Sequence, residues 1–247
     1  MKERHSMTPP VPAAMAATPG LRAVPKPVGR PVGRSSEDTR LMILDQAEHL
    51  FADGGYDGTS IRDIAARAGV QAAVVGYHFG SKEELFDTVV GRRISVLNAQ
   101  RAQALAEALA VRGGRPLPLE TLIRGYVKPF VEAAGHGDPG WRNFATLMGR
   151  LANSPRGVDV IERHADDMAR TYLAEFARAL PELSRPGLVD GFLFMVSAML
   201  FVSAGTGRWE RLMDRAQSPA RPAEEVLAQL VPFVSGGFKA LRSAARD

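Results

Sequence analysis

The chain contains no cysteine, which excludes disulfides, thiol nucleophiles and thiolate-held zinc and fits a reducing compartment. It also lacks the HExxH, GxSxG and P-loop patterns, and His49, His78, His136 and His164 are scattered. The nearest approach to a metal pair is His164 with Asp167, and that i, i+3 spacing reads as a solvated helix pair. Enzyme chemistry therefore gains no support, and neither a metal nor a cofactor is expected. Long apolar runs are scarce as well. Leu188 to Ala204 spans 17 residues, is interrupted by Asp190 and closes in Gly205-Thr206-Gly207, too short and too broken to favour a membrane span. Pro9, Pro10 and Pro12 break any signal-peptide core. The expectation is a cytoplasmic protein with no membrane partner.

What is present is apolar residue in helical rhythm, 45% of 247 residues being hydrophobic, enough for one small and one larger all-α domain. Charge is spread unevenly. Residues 1–34 hold six cations against one carboxylate, whereas residues 35–84 hold Arg40, Arg62, Arg67 and Lys82 against nine carboxylates. The first segment also contains seven of the 17 prolines and cannot bury enough surface to offset its conformational entropy, so a disordered basic arm is expected. Within it lies a tandem PVGR repeat whose Gly29-Arg30-Pro31 is similar to the core of an AT-hook. Such a core places Arg30 in a narrow A·T minor groove. A solvated tail or an over-called translation start, with Met7 or Met15 as the first residue, is the competing reading of the same segment.

Thr59 to Leu85 carries the most information. Thr59 and Ser60 precede Ile61, Ile64, Ala65 and Ala68, an apolar face behind hydroxyls able to cap a helix. Gly69 permits the reversal, since a residue without Cβ adopts positive φ at no steric cost. Gln71 to Phe79 forms a second short helix, with Val74, Val75 and Phe79 for the core and Gln71, Ala72, Ala73, Tyr77 and His78 left over to face DNA. Ser81 and Glu84 make a capping box for a long helix running to about Val111. Upstream, Ile43, Ala47, Leu50 and Phe51 share one face of a helix that closes at Gly54-Gly55.

This arrangement resembles the TetR family of transcriptional regulators. The matching residues are Thr59, Ile64, Ala65, Ala68, Gly69, Val70, Tyr77, His78, Phe79, Ser81, Lys82, Glu83 and Leu85. One position departs: Gly76 stands where family members commonly carry a phosphate-contacting Tyr, so that contact must be lost or taken over by Tyr77. The VxYHFGSK variant also occurs in the PsrA-like branch, whose members respond to acyl chains. Together with Arg30 of the AT-hook-like core, the resemblance implies a DNA-facing set of Arg40, Thr59, Ser60, Arg62, Gln71, Ala72, Ala73, Tyr77, His78 and Lys82. It further implies a helix-turn-helix domain at 35–84 and a ligand-binding and dimerisation domain at 85–247.

In that second domain, breakers at Gly113-Gly114, Pro116, Pro118, Gly135, Gly137 and Pro139 separate helical segments near 118–134, 140–152 and 158–180. Tyr126, Phe130, Trp141, Phe144, Met148, Met168, Tyr172, Phe176 and Met195 are the candidates for an apolar effector cavity, although each also fits an ordinary core. Arg142 and Arg150 could anchor a carboxylate or simply be solvated charges. Leu188 to Ala204 is apolar nearly all round, so both of its sides must be covered. Because a partner subunit would supply the second cover, and because the resemblance implies a four-helix dimer interface made by the last two helices, Phe192, Met195 and Met199, with Val226, Leu230 and Val234 of a last helix from Pro222, are assigned to a homodimer interface; filling the chain's own core is the competing reading.

The expected function is a homodimeric repressor that binds double-stranded DNA at a near-palindromic operator and is released by a small, largely apolar, acyl-chain-like effector. The alternative is a ligand-independent architectural protein for A·T-rich DNA.

Overall fold

Capping and turn residues place the helix boundaries. The computed structural model describes residues 35–135, 137–214 and 221–244; the arm, Arg30 included, lies outside them. Among the described residues there are ten helices and no strand. Helix α1 (Ser36–Gly54) starts at a reciprocal Ser35–Asp38 capping box, four residues before the Arg40 at which its apolar face becomes legible. Helix α2 (Ile61–Ala68) starts at the same device, Ser60 with Asp63, and ends at Gly69, whose φ of 65° lets the Val70 amide reach back to Ala65 O at 3.0 Å. Helix α3 (Ala72–Phe79) follows, and α4 (Lys82–Arg112) opens on the expected Ser81–Glu84 box.

The body consists of α5 (Leu119–Gly135), α6 (Pro139–Leu151), α7 (Pro155–Ala179), α8 (Arg185–Ser203), the short α9 (Arg208–Leu212) and α10 (Ala223–Ala244). Asp138, Ser154 and Ser184 cap α6, α7 and α8, each of which carries Pro in its first turn, where a missing amide is harmless. Helix α4 packs on α1, α5 and α7, and α1 also packs on α6, so the helix-turn-helix is held by the body along one side. Phe51, Tyr56 and Phe86 interlock there, the Phe51 and Phe86 rings meeting edge to face at 4.8 Å. By length and composition alone α8 is apolar enough to cross a membrane; in this fold it packs against α5, α6, α7 and α10.

Candidate nucleic-acid interface and effector region

Helix α3 divides cleanly into two faces. Val75 and Phe79 are buried on the side that packs against α2 and α4, while Gln71, Ala72 and Ala73 are exposed and Tyr77 is 84% exposed. Gln71 is the N-cap residue yet makes no side-chain capping bond, which leaves its amide free. Tyr77 meets the half-buried His78 edge to face at 5.3 Å. At eight residues the helix is about 12 Å long, and a helix diameter of about 10–12 Å is what a major groove about 12 Å wide admits. A Cβ added at Gly76 would touch nothing within 4 Å, so the missing Tyr leaves open space.

The remaining candidates occupy different environments. Arg62 is exposed on α2. Arg40 is half-buried, 3.8 Å from Glu37 and 5.3 Å above the Phe79 ring. Lys82 holds its ammonium 4.2 Å over Tyr56. The Ser60 hydroxyl donates to Asp63 Oδ2 at 2.6 Å and its amide to the same oxygen at 3.1 Å, and these bonds hold the Asp63 carboxyl below its ordinary range. The Ser81 amide and hydroxyl do the same for Glu84. Thr59 is corrected: it is only 4% exposed, and its hydroxyl is directed inward to Leu50 O at 3.0 Å and Gly55 O at 2.9 Å. It fastens the turn after α1 and has no hydrogen to offer a phosphate.

Eight of the nine carboxylates of residues 35–84 find partners among the described residues, and the ninth, the exposed Glu83, sits in the first turn of α4, where the helix amides favour negative charge. Asp38, Asp63 and Glu84 serve the three capping boxes. Glu37 faces Arg40 and Asp53 lies 3.4 Å from His49. Asp45 and Glu48 take Arg92, Glu48 also takes Arg93 at 3.0 Å, and Asp57 lies 3.9 Å from Arg156. Arg92, Arg93 and Arg156 come from α4 and α7. The acidic balance of the segment is therefore largely met by cations borrowed from the body and by helix amides, and it leaves little negative field for DNA to meet.

Glu48 is 1% exposed, so its two guanidiniums are a condition of folding rather than an ornament. Arg93 also lies 4.6 Å over the Trp141 ring of α6 and 3.9 Å from Asp138. One buried carboxylate thus ties α1 to α4 and, through Arg93, to α6. Sequence reasoning missed this tie, although a signal exists: Glu48 interrupts the apolar rhythm of Leu44, Ala47 and Phe51. Arg101 is the parallel case on α4, buried among Leu97 and Leu105 and donating to Tyr126 O at 2.9 Å with its guanidinium 4.0 Å over that ring. His164 pairs with Asp87 of α4 at 2.9 Å, and Asp166 and Asp167 pair with Arg170, so these ion pairs replace the expected His164–Asp167 helix pair.

The cavity candidates pack on one another. Tyr126 meets Tyr172 at 5.1 Å and Phe192 at 4.9 Å, Phe176 stacks on Phe238 at 5.1 Å, and Phe144 touches both Phe130 and Trp141. Met148 and Met195 are buried with them, and Met168 is half-buried. Burial pushes the Tyr172 hydroxyl up to about 12, and it donates to Arg101 O at 3.0 Å. A groove of about 990 Å³ lies instead between α6, α8 and α10, and none of these nine side chains lines it. Apolar periodicity identified core-forming residues; it carries no information on whether two apolar faces close on each other or around a space.

The interface candidates are corrected for a related reason. Phe192, Met195, Met199, Val226, Leu230 and Val234 are all buried within the single chain. The outer faces of α8 and α10 instead expose Leu193, Phe194 at 65%, Phe201 and Phe233 at 75%, with Gly236 and Gly237 beside them. Between these helices lies an apolar depression of about 880 Å³ bordered by Phe194, Phe233, Gly236 and Gly237. Glu120 of α5 ties α10 in place: it accepts from Ser235 Oγ at 2.6 Å and Lys239 Nζ at 2.9 Å, which lowers its carboxyl to about 2.

Residues 43–89 match the family model for bacterial regulatory proteins of the tetR family, and residues 124–237 match that for the tetracyclin repressor-like C-terminal domain. The HTH-type transcriptional repressor Rv3405c of Mycobacterium tuberculosis is 38% identical over 100 residues, 39% of this chain and 52% of that protein, so the chain spans about half of its length. The HTH-type transcriptional repressor KstR2 of Mycolicibacterium smegmatis is 27% identical over 218 residues, covering 87% of this chain and 95% of that one. The solved structure of the ketosteroid transcriptional regulator KstR2 of Mycobacterium tuberculosis superposes with a TM-score of 0.56 at 23% identity, over 80% of this chain and 93% of that one, a likeness of fold.

Proposed function

This chain belongs to the TetR family of DNA-binding transcriptional regulators, and from that premise we propose that it is a cytoplasmic repressor that grips a near-palindromic operator as a homodimer and is released by a small, largely apolar effector. Residues 35–84 read DNA, and 85–247 bind the effector and the second subunit. The observation that carries this reading is α3, whose Gln71, Ala72, Ala73 and Tyr77 stand clear of a core that holds Val75 and Phe79. Gln71 supplies the bidentate amide for one base, Ala72 and Ala73 offer methyl contact, and Tyr77, His78, Lys82, Arg40, Arg62 and Ser60 address the phosphates. The arm adds Arg30 in the minor groove beside each half-site.

The outer face of α8 and α10 supplies the second subunit's seat. Large apolar side chains left exposed around two glycines form a patch that a second copy can fill with the same residues. Effector binding shifts the population toward a dimer geometry in which the two α3 helices no longer fit successive grooves.

The test is to sequence genomic fragments retained by the purified full chain and to footprint the enriched site. Two half-sites about 10 base pairs apart, centre to centre, are expected. An enriched single half-site, or no enrichment over bulk DNA, would remove the dimeric operator from the account. Deleting residues 1–34 is expected to reduce affinity, flatten its salt dependence and erase any preference for A·T flanks; equal affinities and slopes would remove Arg30.

A further inference from the structure

We propose that the groove between α6, α8 and α10 is a site for an amphipathic carboxylate, its head held by Arg150 and Arg221 and its apolar body lying on Leu200, Val226 and Leu230. The proposal rests on the effector-responsive reading above and names the effector's chemical class and contacts. The groove's volume, about 990 Å³, falls in the range of small-molecule sites, which pair a mostly apolar lining with a few convergent polar groups. Its polar members are Arg150, Arg221, Thr146, Asn153, Ser197, Thr206 and Gln229, and among the described residues no carboxylate lines it. Two cations facing an apolar space with no acid to neutralise them favour a ligand with negative charge at one end.

Arg221 adds an independent observation. Its Nη2 donates to Glu225 O at 3.2 Å and its guanidinium lies 4.6 Å over Trp209, but Nε is buried with no hydrogen-bond partner among the described residues. The adjoining cavity shares Phe201, Val202, Thr206, Arg221 and Val226 with the groove, and in it Ser203 Oγ is likewise buried without a partner. Buried donors without acceptors are rare in folded proteins because each forfeits its hydration. Glu210 also lines the adjoining cavity without bonding Arg221 Nε, and a carboxylate in the groove supplies the acceptor that this Nε lacks. A neutral ligand leaves the charge unmet, and a cation is repelled.

Arg150 connects this site to DNA. It stands on the last turn of α6, lines the groove, and has no side-chain hydrogen bond or ion pair among the described residues. Its Nη1 lies 3.8 Å from where a Cβ on Gly55 would sit, at the turn that closes α1. A carboxylate that draws Arg150 into the groove withdraws it from that turn, so occupancy is felt first where the helix-turn-helix meets the body.

Calorimetry on the full chain with three matched pairs of probes tests the assignment: dodecanoate and dodecanol, lithocholate and its methyl ester, 2-naphthoate and 2-naphthalenemethanol. At least one acid should bind tenfold or more tightly than its uncharged partner. That preference should vanish in Arg150→Gln and Arg221→Gln, while the uncharged partner binds both variants as it binds the native chain and their melting curves match it. No preference for any acid, or a preference that survives both substitutions, overturns the site. Operator titrations separate this from the broader reading. If only an uncharged compound releases DNA, the repressor reading stands and the carboxylate site falls; if the favoured acid binds through the arginines but leaves operator affinity unchanged, the site stands and the effector reading falls.

Discussion

The helix-turn-helix and the α8–α10 pair are both built from short-range helical rhythm, yet one displays its faces in sequence and the other hides them. In α2 polar and apolar positions alternate with the helical period, and α3, though more apolar, is bracketed by Gly69 before it and the Ser81–Glu84 capping box after it, with Tyr77 and His78 set against Val75 and Phe79. Each residue's direction follows from its neighbours. In α8 nearly every position is apolar, so Met195 and Phe194 look equivalent although one is 0% and the other 65% exposed. Contrast between faces, more than hydrophobicity itself, makes a helix readable.

Charge placed on the two faces of α8 separates them most sharply. Met195→Asp buries an unpaired carboxylate and should cost about 4 kcal/mol or more, enough to unfold much of the chain; a cooperative native-like urea transition in this variant would show that the inner face has been misassigned. Next in size, Glu48→Ala removes the buried acceptor shared by Arg92 and Arg93, leaves them Asp45 and Asp138, and should lose about 1.5–3 kcal/mol in the same titration. Stability within 1 kcal/mol of the native chain would mean that the tie between α1 and α4 is dispensable.

On the reading side the effects are smaller. Gln71→Ala should relax preference at one base pair in each half-site, at about 1–3 kcal/mol, with other positions unaffected; a uniform loss across operator variants would assign Gln71 to phosphates instead. The smallest effect concerns α10. Because the Glu120 carboxyl is held at about 2 against an ordinary 4.5, the stability it contributes is present above pH 4.5 and is lost as pH falls toward 2. Glu120 is half exposed, so solvent screening limits this to about 1 kcal/mol at most. Glu120→Gln should remove that part of the acid dependence, and unchanged acid melting curves would remove the Ser235–Glu120–Lys239 tie from the account.

Legibility across the molecule follows the same rule of contrast. Most helix boundaries were readable from Ser, Asp, Gly and Pro, because capping chemistry is local. Helix α9 was not, since five residues contain too little period to register. Thr59 was misread because a hydroxyl before a helix can cap it or serve the previous turn, and only the approach of Leu50 O and Gly55 O decides. The groove lined by Arg150 and Arg221 brings together residues 71 positions apart, and nothing local in either helix announces the other.

The central claim is that the exposed face of α8 and α10 joins two copies so that two α3 helices act on one operator. Phe194→Asp tests it most directly, with sedimentation and operator anisotropy measured on one preparation. The account predicts a native dimer and a variant that is folded, monomeric and weakened on the whole operator by about 10²–10⁴-fold, the loss expected when two linked contacts become one. A native chain that sediments as a monomer, or a monomeric variant that binds the operator with native affinity, would contradict it.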